Sequence, residues 1–290
     1  LFIREGHEHR IVPAIFAGLL FAFEAKSVVF SVNGMETAFM LFFLAWSVNL
    51  LCAEKTDWLQ LGVAWGGLMW TRPDSCIYIA AMVLAFLAYG KMPRREFIFC
   101  VLKSAAVTTL IYLPWFLWAW SYYGSPVPNT VLAKEGMAAS PGLFGLFMRI
   151  VTHLPYTTSW IYAPVYPQFP GWNGVVYVFS AAAGVFAFVY WLLPWAGDDR
   201  IGRAASFMFF MAALYFAYMP FPFPWYFPPA AMLGIIVFVR GFFRLSLHFK
   251  DPENRKRFPA YALFGFMIVM LVTLLLTSYE MKLQQKYIED

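Results

Sequence analysis

The sequence predicts an all-α, polytopic transmembrane helical bundle, and three observations predict it. Hydrophobic residues fill 61% of the 290 positions and charged residues only 13%, against about 25% charged in a soluble domain. Apolar runs approaching the ~20 residues of a membrane span recur along the whole chain. Lysine and arginine gather in alternate connecting loops, the usual signature of threading through a bilayer. The net charge of +5 therefore reads as a topology signal and not as a nucleic-acid surface, which needs a basic stripe on polar ground.

The pattern gives about nine candidate spans, some of them short. The first, Ile11 to Phe30, contains Glu24 and Lys26. Two residues apart on a helix, these do not share a face, so each must turn to the bundle interior or snorkel. Asn33-Gly34-Met35-Glu36-Thr37 is a tight turn that leaves a carboxylate at the boundary, either solvated or set at the positive end of the next helix. Spans Thr37 to Ala53, Trp58 to Trp70 and Cys76 to Tyr89 follow, the last two joined by Thr71-Arg72-Pro73-Asp74. Pro73 makes Arg72 extended, and Asp74 is placed to cap the helix from Ser75 onward. An arginine beside a carboxylate suits bidentate phosphate binding, or serves as an ion pair with Asp74 or Glu36 that fixes the hairpin.

The span Phe97 to Trp120 ends in an aromatic belt that includes Trp115, Trp118, Tyr122 and Tyr123. Gly124, Pro126 and Pro128 then stop the helix, and Asn129, Thr130 and Lys134 supply an amide, a hydroxyl and a cation. An interfacial helix is expected next, with Leu143, Leu146, Phe147, Ile150 and Leu154 on one face and Arg149 and Thr152 on the other. An aromatic and proline-rich loop from Pro155 to Trp172 completes this segment. The remaining spans are Trp172 to Trp195, Ala204 to Tyr218, Trp225 to Phe243 and Phe258 to Ser278. The run Pro220 to Pro229 before the eighth lacks several backbone N–H groups, which leaves carbonyls open and favours a kink or cavity.

Fifteen basic residues, from Arg4 through Arg257, fall in one set of loops, which is assigned to the cytoplasm. The other set holds Arg72, Lys134, Arg149, Lys282 and Lys286. Glu36, Arg72, Asp74, the segment from Ser121 to Pro170 and the proline run are thus expected together on the outer face. The three cysteines are isolated, no histidines have metal spacing, and neither a nucleophile-elbow nor a phosphate-loop motif is present. The polar run Arg4 to Arg10 directly before a span, and the polar tail from Glu280, read residues 1–290 as one transmembrane segment of a longer protein, truncated at the N-terminus and open to extension at the C-terminus.

Taken in order, N-G-M-E-T-A from Asn33, T-R-P-D from Thr71, Y-Y-G-S-P-V-P-N-T-V-L-A-K from Tyr122 and P-W-Y-F-P-P-A from Pro224 resemble the GT-C class of polyprenyl-phosphate-sugar glycosyltransferases. The terminal arabinofuranosyltransferase-like members that build bacterial envelope glycans are the nearest in pattern, from about Leu20 to about Phe243. The resemblance implies a GT-C-like bundle in the inner membrane. It implies an inverting transfer of sugar from a lipid-phosphate donor to a glycan or lipid acceptor on the extracytoplasmic face. It implies no cofactor beyond that donor, with room for a divalent cation, and no nucleic-acid partner. The base in such families is an aspartate in the first outer loop, expected upstream of Leu1, which would leave this segment inactive alone. Glu36 and Asp74 would then contact sugar or acceptor hydroxyls, Arg72 and Lys134 the carrier phosphate, and Asn129 and Tyr123 sugar or phosphate oxygens. Trp225 and Tyr226 would line the groove. Met219-Pro220-Phe221-Pro222 stands where the family often has a glycine and acidic element, so specificity is expected to differ.

Three other readings compete. A transporter or lipid flippase would use Glu24, Lys26, Glu36 and Arg72 as coupling charges, but predicts deep charges in several spans and inverted repeats. An envelope-polymer ligase would place its activating groups in a large outer loop, where His153 and Arg149 stand. A noncatalytic scaffold would follow from the missing aspartate.

Overall fold

The computed structural model describes residues 11–33, 35–125, 142–164, 174–219 and 222–289, and every regular element among them is helical. The helices are α1 (Ile11–Ala22), α2 (Ala25–Val32), α3 (Thr37–Leu51), α4 (Trp58–Thr71), α5 (Ser75–Tyr89) and α6 (Arg94–Tyr123). They continue with α7 (Leu143–Trp160), α8 (Gly174–Val189), α9 (Arg200–Tyr218), α10 (Pro228–Ser246) and α11 (Pro252–Glu289).

The all-helical class agrees with the sequence, whereas nine full-length spans are not shown. Among the described residues 4 helices (α6, α9, α10 and α11) are long and apolar enough to cross a membrane, or 5 if α1 and α2 form one span bent by 60°. Helices α3, α4 and α5 have 15, 14 and 15 residues. At 1.5 Å per residue they reach about 21–23 Å, short of a ~30 Å hydrocarbon core. The first run breaks because Glu24 leaves the helical region and its carboxylate accepts from the N–H groups of Lys26 and Ser27, restarting the chain as α2.

Helices α9 and α10 form the centre, with 61% and 72% of their apolar windows buried, whereas α6 and α11, at 17% and 28%, lie outside and turn apolar faces outward. Helices α4 and α6 run parallel. Ser104 Oγ donates to the Trp58 carbonyl at 2.9 Å, Thr108 Oγ1 to Gly62 at 3.1 Å and Trp70 Nε1 to Ile111 at 3.0 Å. Gly62 and Gly66 leave no room for a Cβ against Val107 and Ile111, so small residues set this close approach. Trp70 lies level with Trp115, and α6 continues to Tyr123, about 12 Å farther along its axis.

Helix α7, expected to be interfacial, is exposed only in its first half, at Leu143, Phe144 and Phe147. Its second half enters the bundle: Thr157, Thr158 and Ser159 are buried, and Thr158 packs where Gly184 of α8 leaves space. Tyr162, expected in an outer aromatic loop, is core, with its hydroxyl donating to the Ala231 carbonyl at 3.0 Å. The last carbonyls of α7 would be orphaned. Lys26, wholly buried, takes the last of them and two just beyond the helix, its Nζ donating to Trp160 at 2.9 Å, Ile161 at 3.2 Å and Ala163. A cation at a helix C-terminus also suits the dipole. At the opposite end of the bundle Asp199 caps α9 through Gly202 N–H, accepts from Tyr190 and pairs with Arg240.

Lys26→Met keeps the length and removes the ammonium, leaving three carbonyls without their donor. It is expected to lower stability by on the order of 3 kcal/mol, read as an earlier thermal unfolding transition in detergent. An unchanged transition would mean that α7 is held by apolar packing alone.

Candidate functional site

The chain leaves α4 at Thr71, and Arg72 is extended (φ −155°, ψ 126°), as the following proline requires. The turn closes with Ser75 N–H donating to the Arg72 carbonyl at 2.9 Å. Asp74 stands at the cap position just before α5 without capping it, contrary to the sequence expectation. Its carboxylate is taken instead by Arg72, whose Nε and Nη2 each donate at 3.0 Å, and by the Tyr215 hydroxyl at 3.2 Å. The fork geometry matches guanidinium to carboxylate and outcompetes a single backbone N–H. Burial opposes the charge on Arg72, and Asp74, Tyr226 and Glu36 together outweigh it and hold the guanidinium above its ordinary pKa.

Arg72 also joins the proline run to this hairpin. Residues 224–226 make one 3₁₀ turn before Pro228 and Pro229 open α10. The Trp225 carbonyl would ordinarily accept from residue 228 or 229, and neither proline has an N–H. Arg72 Nη1 donates to it at 3.3 Å, and the guanidinium lies 4.1 Å from the centre of the Tyr226 ring. Trp225 stacks on Phe223 (4.5 Å, 4°) and meets Phe30 edge-on. Glu36 begins α3 with no capping bond from its side chain, and its carboxylate stands 3.8 Å from Arg72 Nε with 39% of the side chain exposed.

Of the residues singled out from the sequence, Glu36, Arg72, Asp74, Trp225 and Tyr226 therefore meet in one cluster, though they come from parts of the chain far apart. Tyr123 does not join them: it ends α6, about 12 Å beyond the level of Trp70, and packs on Trp118 and Tyr122. Asn129 and Lys134 lie outside the described residues. The expectation of Arg72 as an open phosphate clamp is narrowed, because three of its five N–H groups are committed within the protein and only 8% of the residue is exposed. Two carboxylates face one guanidinium, so the described part of the cluster is net negative.

Sequence reasoning missed Tyr215, Tyr78 and Ser75. The buried hydroxyls of Ser75 and Tyr78 have no hydrogen-bond partner among the described residues. Tyr78 was legible, one helical turn after Asp74; Tyr215 gave no local signal inside an apolar run. Arg149 of α7 reaches the Tyr218 carbonyl at 3.5 Å, which brings a half-buried cation to the same end of α9 as Tyr215. Among the described residues no group of His, Cys, Asp or Glu could hold a metal ion.

Arg72→Lys keeps the charge but loses the fork, the second donor to Trp225 and the flat face on Tyr226. It is expected to cost roughly 2–3 kcal/mol, and Tyr215→Phe about 1 kcal/mol, both read from thermal unfolding in detergent. Equal, negligible losses would separate the cluster from the stability of the bundle. No protein-family model, curated protein or solved structure matches the chain.

Proposed function

We propose that the protein is part of a membrane glycosyltransferase that moves a sugar from a polyprenyl-phosphate donor to a glycan or lipid acceptor of the cell envelope. The observation that carries this reading is the meeting of Glu36, Arg72, Asp74, Trp225 and Tyr226, which come from three of the four motifs in the family resemblance, at one end of an apolar helical bundle. In the full reading the short helices pair with their neighbours to complete about nine passages of the membrane, the bundle sits in the inner membrane, and the Arg72 end faces outward.

The transfer is an inverting displacement. An acceptor hydroxyl attacks the anomeric carbon, the bond to the carrier phosphate breaks, the phosphate leaves with that electron pair, and a carboxylate base takes the hydroxyl proton. Asp74 is saturated by Arg72 and Tyr215 and acts as a positioning group, whereas Glu36 is the carboxylate of the cluster open to sugar hydroxyls. The developing phosphate charge needs cations. The two remaining Arg72 N–H groups and Lys134 would supply them and Asn129 would contact sugar or phosphate oxygens, while Tyr123, away from the cluster, would meet only a more distant part of the donor. The reading leaves room for a divalent cation, which would add positive charge beside the carrier phosphate, with no further cofactor.

The test is transfer of radiolabelled sugar from a set of polyprenyl-phosphate donors in membranes carrying the complete protein. Transfer is expected with at least one donor, and Arg72→Ala is expected to lower it at least a hundredfold while the protein still inserts. Absence of transfer with every donor, on inserted and folded protein, would overturn the reading in favour of a transporter or scaffold.

A further inference from the structure

The outer ends of α3, α4 and α6 enclose an open groove of about 460 Å³, inside the range of ligand pockets. Phe39 and Phe43 of α3, Val63 and Gly67 of α4 and Ile111 of α6 form its apolar walls, and its polar end is Glu36 beside Thr71. Gly67 keeps it open, since any side chain there would meet the Phe43 ring. Trp70 closes the α6 side by its bond to the Ile111 carbonyl.

Two features decide what fits. Helices α3 and α4 are about 7–9 Å shorter than a ~30 Å hydrocarbon core, while α6 rises past them. A lipid beside α6 can therefore bring its chain along the groove and its head down to Glu36. The head group faces a carboxylate, with the Arg72 charge 3.8 Å behind it and already bound to Asp74. A phosphate would be repelled there, whereas hydroxyls would donate to the carboxylate in charge-assisted hydrogen bonds.

We propose that this groove is the acceptor-lipid site: it holds the hydrocarbon chain of a neutral glycolipid whose sugar hydroxyls bond Glu36, while the phosphate-bearing donor approaches from the proline-run side. The inference rests on the transferase reading for the role of its occupant, and its binding test stands apart from turnover.

The test uses a dodecyl glycoside carrying a diazirine on its chain, added to membranes containing the complete protein. Irradiation is expected to label the peptides bearing Phe39, Val63 and Trp70 saturably, with competition by unlabelled dodecyl glycoside and none by dodecyl phosphate. Val63→Trp fills the groove from an exposed position, so folding is kept, and it should reduce saturable labelling at least tenfold. Glu36→Leu should raise half-saturation at least tenfold. Labelling that does not saturate, or that dodecyl phosphate displaces equally, would overturn the proposal, the first outcome marking a surface wetted by bulk lipid and the second a donor-chain site. Saturable labelling in a protein that transfers no sugar would retain the groove as a glycolipid site and reject the transferase reading.

Discussion

The arrangement at the Arg72 end of the bundle depends on a buried positive charge that three separated parts of the chain must share. Arg72 stands at the end of α4, and its charge is tolerable there only because Asp74 supplies a carboxylate and Trp225 a carbonyl. The carbonyl is open because two prolines follow it. The hairpin between α4 and α5 and the entry to α10 are thereby fixed to each other, and Tyr215 ties both to α9, in the centre. Glu36 is then left as the group with a free side to offer a ligand. If this cluster is the proposed site, it is pre-organised, since its positioning groups are already bonded to one another.

A second buried charge does comparable work for α7. Lys26 answers the orphaned carbonyls at the end of that helix, while Glu24 answers the opening N–H groups of α2. Both charges would be costly in an apolar span if left alone, and each is satisfied by backbone at a helix end. Their place in a long apolar run marks a break in the helix, where backbone groups are available, and this removes the need to read them as coupling charges of a transporter.

The helical class was legible because composition and apolar runs bear on it directly, and the cluster was legible where special backbone chemistry left a mark. Pro73 forces Arg72 out of the helix, and Pro228 and Pro229 strip donors from the turn before them; both can be read without a structure. The break at Glu24 was not legible, since the apolar pattern runs across it and a cap is a matter of backbone angles. The bounds of α3, α4 and α5 were legible to within two residues; whether helices that short cross a membrane is a matter of length that the apolar pattern does not answer. Tyr215 is a tertiary contact on an apolar helix, and no local pattern announces such a partner. The inward half of α7 was missed because its buried face is made of Thr157, Thr158 and Ser159, small polar residues that bond back to their own helix and so pack as apolar ones do.

The most direct test is a double-mutant cycle on Arg72 and Asp74, with Arg72→Met, Asp74→Leu and the double variant compared by thermal unfolding in detergent. Each single change strands a buried charge, and the double change strands neither, so the pair should show a coupling on the order of 2–3 kcal/mol, the double variant being far less destabilised than the sum. Simple additivity would contradict the account, because the two residues would then contribute independently and the charge would not be what holds this end of the bundle together.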